Sequence, residues 1–222
     1  MQLNAIERMM VNNPFRRFVQ RRYEAPRLLA ITGRLDGKRA LEIGCGQGFG
    51  MKIILDQFGA ASVQGIDLDP RMVARAQKRL RRFASRAEVS VGDATAIAAE
   101  DESFDAVFDF GVLHHVEIWE DAVREVARVL KPGGLFVFGE VSKEALDTWI
   151  YRALFKHPEE NRFTVDDFVA ALERHGIVVD DTVRNFWSGD FFSGVGRRTK
   201  RIRLSDDEAV AKITGTFTVR PR

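Results

Sequence analysis

Chemistry-bearing residues are densest in Leu41-Glu42-Ile43-Gly44-Cys45-Gly46-Gln47-Gly48-Phe49-Gly50. A glycine-rich turn between a strand and a helix lets a ligand lie against bare backbone, because no Cβ stands in the way. Spacing narrows the choice of ligand. A dinucleotide turn needs Gly-x-Gly-x-x-Gly, but counted from Gly44 the last position is Phe49, and counted from Gly46 it is Met51. What is present is Gly44-x-Gly46-x-Gly48 behind an acidic residue, Glu42, at the strand end. Such a turn suits a ligand without a pyrophosphate, and Glu42 offers a negative charge to a cationic group. Asp67 follows Gly44 by 23 positions, in Gly65-Ile66-Asp67-Leu68-Asp69, where two carboxylate oxygens can accept from the vicinal hydroxyls of a ribose. Asp93, in Val91-Gly92-Asp93-Ala94-Thr95, is placed beyond a strand end to accept from the amine of an adenine. A lone Asp93 would read as a turn carboxylate; beside Glu42 and Asp67 it reads as part of a nucleoside site.

Proton chemistry falls to His114 and His115, since histidine titrates near neutrality and accepts a proton there. Alternation of Leu113, His114 and His115 along a strand end favours His115. The bland alternative is a histidine that lines or orients the site without moving a proton. His157 and His175 read as surface or helix-end residues, and Cys45 as a small loop residue rather than a nucleophile.

These residues need a sheet to bring them together. From residue 39 the pattern alternates strand and helix, the sign of a parallel α/β sheet. Strands are expected at Arg39–Ile43, Ser62–Leu68, Ala87–Val91, Phe104–Leu113 and Leu135–Val141. Helices are expected at Met51–Phe58, from Asp69-Pro70 to about Arg82 with Asp69 as N-cap, and over Ile118–Leu130, which Lys131-Pro132-Gly133-Gly134 ends. Two further helices follow, Lys143–Phe155 and Val165–His175. The second carries Thr164 and Asp167 as a capping box and Gly176 as its stop. Ile177–Trp187 and Phe191–Arg197 read as late strands, a terminal antiparallel pair. Ahead of the sheet, residues 3–13 and 15–30 read as helices interrupted at Asn13-Pro14, the second with an apolar stripe beside Arg16, Arg17, Arg21 and Arg22.

Six segments in order, Leu41–Gly48, Gly65–Asp69, Gly92–Ala94, Phe104–Val107, Leu113–Val116 and Leu130–Gly134, resemble the ubiquinone- and menaquinone-biosynthesis-type branch of the class I S-adenosylmethionine-dependent methyltransferases (methyltransferase type 11). The resemblance covers residues 40 to 140. It implies an α/β Rossmann-like fold, a mostly parallel seven-stranded sheet in the order 3-2-1-4-5-7-6 with strand 7 antiparallel and helices on both faces. It implies S-adenosylmethionine as cofactor, S-adenosylhomocysteine as product, and a cofactor set of Glu42, Gly44, Cys45, Gly46, Gly48, Asp67, Leu68, Met72, Asp93, Ala94 and Phe110. No metal is implied. Several subclasses lack their marks. Asp109-Phe110-Gly111-Val112 stands where amino-methylating nucleic-acid enzymes carry Asn/Asp-Pro-Pro-Tyr/Phe, and the lone cysteine lies in the cofactor loop.

Composition sets the outer bounds. The 222 residues, 45% hydrophobic and 30% charged, fit one soluble domain with short appendages. With no long apolar run, no secretory pattern in Met1–Met10 and one cysteine, the expected home is the cytoplasm. Net charge is +2, distributed as +6 over residues 1–39, −9 over 40–196 and +5 over 197–222. Basic ends suggest peripheral contact with an anionic surface such as the inner face of a membrane, against the simple alternative of solvated arginines. The expected organisation is an N-terminal helical cap at 1–38, the methyltransferase domain at 39–200 with a helical insertion at 142–162, and a tail at 201–222. The expected acceptor is a small, apolar, lipid- or quinone-like molecule. Trp149, Tyr151 and Phe155, with Phe15, Phe18, Trp187, Phe191 and Phe192, would wall its pocket. An RNA or protein methyltransferase docking through its basic ends is the alternative, with nucleic acid disfavoured. A third reading is a cofactor binder that transfers nothing. Oligomeric state is not legible.

Overall fold

The computed structural model describes residues 14–147, 161–186 and 190–199. The expected helix at 3–13, the tail at 201–222, Trp149, Tyr151, Phe155, His157, Trp187 and the side chain of Phe15 lie outside them. Helix α1 (Pro14–Val19) begins at the proline, whose missing N–H costs nothing there. It runs through a wide, π-type turn (Gln20–Glu24) into α2 (Ala25–Thr32). Then come β1 (Arg39–Ile43), α3 (Phe49–Ile53, ending in a π-type turn to Phe58) and β2 (Ser62–Asp67). Next are α4 (Pro70–Leu80, followed by a 3-10 stretch to Arg86), β3 (Ala87–Val91), β4 (Phe104–Phe110) and α5 (Trp119–Val129). The chain continues as β5 (Leu130–Val141), α6 (Lys143–Leu146), α7 (Val165–Arg174), β6 (Ile177–Val178), β7 (Arg184–Phe186) and β8 (Phe191–Arg198).

The sheet runs β3-β2-β1-β4-β5-β8-β6, with the short β7 on β8. β8 is antiparallel to β5 and the strands from β3 to β5 are parallel. Setting aside the extra short β7, this is the expected order, with the antiparallel strand between the fifth and sixth. Asp69 caps α4 by accepting from the Arg71 amide at 2.9 Å, and the Thr164–Asp167 capping box starts α7. Three expectations are corrected. β4 stops at Phe110 instead of Leu113, because Gly111 takes a left-handed φ of 84° and the chain turns into a 3-10 segment, Leu113–His115. The expected strand Ile177–Trp187 is two short pieces, β6 and β7, and residues 187–189 lie outside the described chain. Of the expected helix Lys143–Phe155, the described part is Lys143–Leu146.

Each face of the sheet carries its own core. α2, α3 and α4 bury Leu28, Met51, Ile54, Phe58, Val73 and Leu80 against one face. On the other, α5 and α7 bury Trp119, Val126, Phe168 and Leu172 with Phe136, Phe138, Phe163 and Phe192. Phe192 therefore belongs to the core, 1% exposed, rather than to a pocket wall. Covering both faces leaves the carboxyl edge of the parallel strands as the open rim, where ligands of such sheets bind.

Candidate functional site

The glycine loop follows β1 at that rim. Gly44, Gly46 and Gly48 have φ of 58°, 51° and 77°, a region that L-residues with a Cβ avoid. At Gly44 a Cβ would also overlap Val112, and at Gly48 it would press on Leu80 and Ala76. Gly46 differs: a Cβ there would meet nothing within 4 Å, so the loop presents a bare, open surface at its middle. The backbone is pinned from below. Cys45 N donates to Ile66 O at 2.9 Å and Gly48 N to Cys45 O at 2.8 Å.

Asp67, at the end of β2, accepts from Gly46 N at 2.8 Å through one oxygen and from Asp69 N at 2.9 Å through the other. The carboxylate thus ties the loop to the next helix and keeps one lone pair per oxygen for a ligand. Burial holds its pKa above the usual range, against the pull of those two amides. Glu42 is 3% exposed and, like Phe110, lies against Gly50, where a Cβ would overlap its carboxyl. The Met51 amide donates to it, yet Oε2 is buried without a hydrogen-bond partner. Burial first, and the Asp67 charge in addition, push the Glu42 carboxyl well above its ordinary value. A buried acceptor lacking a donor, beside an open glycine surface, fits a ligand that brings an ammonium. The residues present therefore fit S-adenosylmethionine.

The remaining expected cofactor residues lie along the same rim. Leu68 is 46% exposed beside Asp67, while Met72, Ala94 and Phe110 are buried. Asp93 accepts from Thr95 N and Thr95 Oγ1, both at 2.8 Å, so one of its oxygens serves the turn. Cys45 is buried, and burial with the nearby Glu42 and Asp67 charges pushes its thiol well up, which removes it as a nucleophile at neutral pH.

The histidines sit on the 3-10 turn, not on a strand, so alternation along β4 does not rank them. Packing does. His114 Nδ1 lies 2.5 Å from Oε2 of Glu140, a fully buried carboxylate near the end of β5. His115 rests against the His114 ring, with centroids 4.0 Å apart. Glu140 Oε1 accepts from the amides of Val112 and Leu113 at 2.9 and 2.7 Å, and Oε2 from Val141 N at 3.0 Å. Val112 N is shared with Oδ1 of buried Asp109, at 3.0 Å. Two carboxyls in one dry pocket cannot both ionise cheaply. Burial and then the Glu140 charge raise Asp109 well above its usual value. Burial also works against Glu140, but His114, Asp109 and the Val141 amide together hold it below its own. The two are pushed apart, Glu140 toward the carboxylate and Asp109 toward the acid. A second side chain reaches this corner from α1, since Arg16 donates to Phe110 O at 3.0 Å.

Sequence reasoning passed over Glu140, Asp109 and Arg16. The first two carried a signal: Asp109 follows Asp105 inside the largely apolar run Phe104–Phe110, and Glu140 is the one acid of Leu135–Val141; a strand covered on both faces tolerates such acids only with dedicated partners. Arg16 carried none beyond its place in a basic stripe.

Comparison with known proteins agrees with this geometry. Residues 41–138 match the family model of the methyltransferase domain. The chain is 36% identical over 112 residues to a probable phthiotriol/phenolphthiotriol dimycocerosates methyltransferase of Mycobacterium ulcerans, covering 50% of this chain and 43% of that one. It is 39% identical over 119 residues to a 24-methylenesterol C-methyltransferase of rice (Oryza sativa), covering 53% and 31%. The chain thus spans less than half the length of these two relatives, and they do not single out the quinone-type branch. A solved S-adenosylmethionine-dependent methyltransferase from Aquifex aeolicus superposes with a TM-score of 0.69 at 21% identity, covering 89% of this chain and all of that one. Ordered motifs, sheet order and the match over residues 41–138 converge on a methyltransferase domain of the class I S-adenosylmethionine-dependent type.

Proposed function

We propose that this chain transfers a methyl group from S-adenosylmethionine to a small, apolar, lipid- or quinone-like acceptor that carries a proton on the reacting atom. The observation that carries the reading is the pairing of an open left-handed loop at Gly46 with the donor-less Oε2 of buried Glu42. When bound, the cofactor supplies a methyl group on a positively charged sulfur. Glu42 would hold its ammonium, Asp67 its ribose hydroxyls and Asp93 its adenine amine, with Leu68 lying against the base.

His114 handles the proton in this reading. With Nδ1–H donated to anionic Glu140, the ring keeps Nε2 as an acceptor. Glu140 then fixes the tautomer and steadies the charge that the ring gains. His115, tilted against it at 40°, restricts its rotation. The described side chains packed beside His114 are mainly apolar (Leu113, Val116, Val141, Leu146 and Phe163, with Asn161 and Arg162) and enclose no open cavity, so the apolar acceptor body rests on the lipid-related relatives. The sterol-methylating relative is consistent with that class. No feature of the rim favours RNA or protein as the acceptor.

Calorimetric titration with S-adenosylmethionine and S-adenosylhomocysteine tests the cofactor half. Wild type should bind both, and Asp67→Asn, which keeps one oxygen, should bind more weakly by roughly 10-fold or more for a lost charge-assisted pair. Folded wild type that binds neither would sink the proposal. An acceptor screen led by hydroquinones and sterols tests the other half.

A further inference from the structure

The −9 of residues 40–196 conceals a strongly basic segment. Residues 70–86, which form α4 and the 3-10 stretch after it, carry seven Lys/Arg and no acid. Arg71, Arg75, Lys78, Arg79 and Arg82 recur at i, i+4, i+7, i+8 and i+11, one continuous stripe, opposite the buried Met72, Val73, Ala76 and Leu80. The fold sets this stripe beside the basic N-terminal helix. Arg17 and Arg79 lie 3.4 and 3.7 Å from the centroid of the Phe49 ring. Two guanidinium carbons that close must occupy opposite ring faces, so Phe49 is clamped between α1 and α4. Around the clamp, Asp56 is shared by Lys52 at 2.6 Å and Arg82 at 3.5 Å, and Gln57 donates to Arg21 O at 3.2 Å.

An apolar opening lies amid these charges. A cavity of about 270 Å³ separates α1 from α3, lined by Arg17, Phe18, Arg21, Phe49 and Ile53 among others. Phe18 and Tyr23 stand out from this face, 55% and 65% exposed, edge to face at 6.1 Å. Both clamping guanidiniums are partly withdrawn from water, which lowers their pKa values, and for Arg17 the neighbouring Arg79 adds to this. A nearby anion relieves that crowding.

We infer that the face formed by α1, the outer side of α3 and α4 is a docking surface for an anionic phospholipid bilayer. Its cations meet the headgroups, and Phe18, Tyr23 and the cavity receive the apolar boundary. An apolar centre ringed by cations matches an amphiphile. RNA would call instead for a succession of ring faces along a charged track, whereas here Phe49 is clamped and the exposed Phe18 and Tyr23 form a single edge-to-face pair. Sequence alone located positive charge at the two ends; the structure adds the middle segment and joins it to the first end. The inference holds whatever the methyl acceptor is.

Sedimentation of the full chain with vesicles tests it. Vesicles of equal parts phosphatidylcholine and phosphatidylglycerol should pellet the protein at low salt, and pure phosphatidylcholine should not. Salt should release it, since the screening length shrinks from about 30 Å at 0.01 M to about 3 Å at 1 M. Arg75→Glu with Lys78→Glu, both exposed on α4, should weaken binding at least about 25-fold, near fivefold per cation. Phe18→Ser should weaken it at unchanged salt dependence. Circular dichroism and thermal midpoints verify that the variants fold. The inference is overturned if wild type ignores the anionic vesicles, if the α4 double variant binds them as well as wild type, or if the chain binds a single-stranded RNA oligonucleotide and no vesicle. A wild type that binds vesicles but no cofactor would overturn the methyltransferase reading and leave this one standing.

Discussion

Glu42 places a carboxyl where water does not reach, so its charge state is coupled to whatever occupies the loop. Its folded pKa is raised, mainly by burial, so its contribution to stability is full below the unfolded value and is lost as pH rises through the folded one. Thermal midpoints of the cofactor-free protein should therefore fall as pH rises above the ordinary carboxylate range. Glu42→Gln should flatten that dependence while weakening S-adenosylmethionine binding roughly 10- to 100-fold, the worth of a charge-assisted hydrogen bond. Fluorimetric melts across pH and calorimetry check the two halves, and a slope unchanged in the variant would put the titration elsewhere. Gly46→Ala tests the neighbouring backbone. With space for a methyl but a φ of 51°, it should cost about 1–2 kcal/mol of stability and lower cofactor affinity by intruding on the open surface. For His114→Ala, kcat should drop between about 10²- and 10⁴-fold with cofactor affinity kept. An unchanged kcat would make the ring a spacer. At this scale the sequence was informative wherever chemistry needs an unusual residue in a tight span, as in the glycine loop, Asp67 and the histidine pair. It marked Glu140 as an acid in an apolar run but not its partners, which come from 26 to 28 positions away.

Elements set which of those side chains meet. The turn at Gly111 ends β4 early and swings Val112, Leu113 and His114 over the end of β5, where Glu140 collects two amides and an imidazole. Glu140→Ala would take away the acceptor of the Leu113 amide, leave Val112 N to Asp109 alone, and remove the carboxylate from His114. A loss of about 3–5 kcal/mol follows from breaking a buried charged pair, read as a shift in denaturant midpoint, with Glu140→Gln losing less. The strands were the most legible elements. β1 and β3 begin and end where expected, β1 as a short buried run and β3 as the alternation Ala-Glu-Val-Ser-Val, each between polar turns. β4 ran long in the reading since Val112 and Leu113 are as apolar as the strand before them, and the left-handed Gly111 has no signature that separates it from any other glycine. Helix starts were legible where a cap announces them, at Asp69-Pro70 and at Thr164 with Asp167.

At the scale of the whole molecule, the N-terminal helices are fastened across the sheet. Arg27 on α2 donates to Ser193 Oγ at 2.5 Å and to Thr182 O at 2.7 Å, so β8 and the approach to β7 hold the helices that carry Arg16 and Arg17. Arg27→Ala should lower stability by about 1–3 kcal/mol and speed amide exchange across residues 14–32 more than in β1 or β4; uniform exchange would show that packing alone holds them. The class of fold was readable from alternation and ordered motifs, whereas the basic face was hidden by averaging charge over a long span. The late strands have a consequence for how the chain is made. β5 pairs on one side with β4 and on the other, over Leu135–Val141, with β8 at Phe191–Arg197. A ribosome therefore delivers Phe136, Val137 and Phe138 about sixty residues before their partners Gly196, Val195 and Gly194, leaving an apolar strand edge open during synthesis. Chains terminated after Val178 should collect in the insoluble fraction and recover solubility when residues 179–199 are restored.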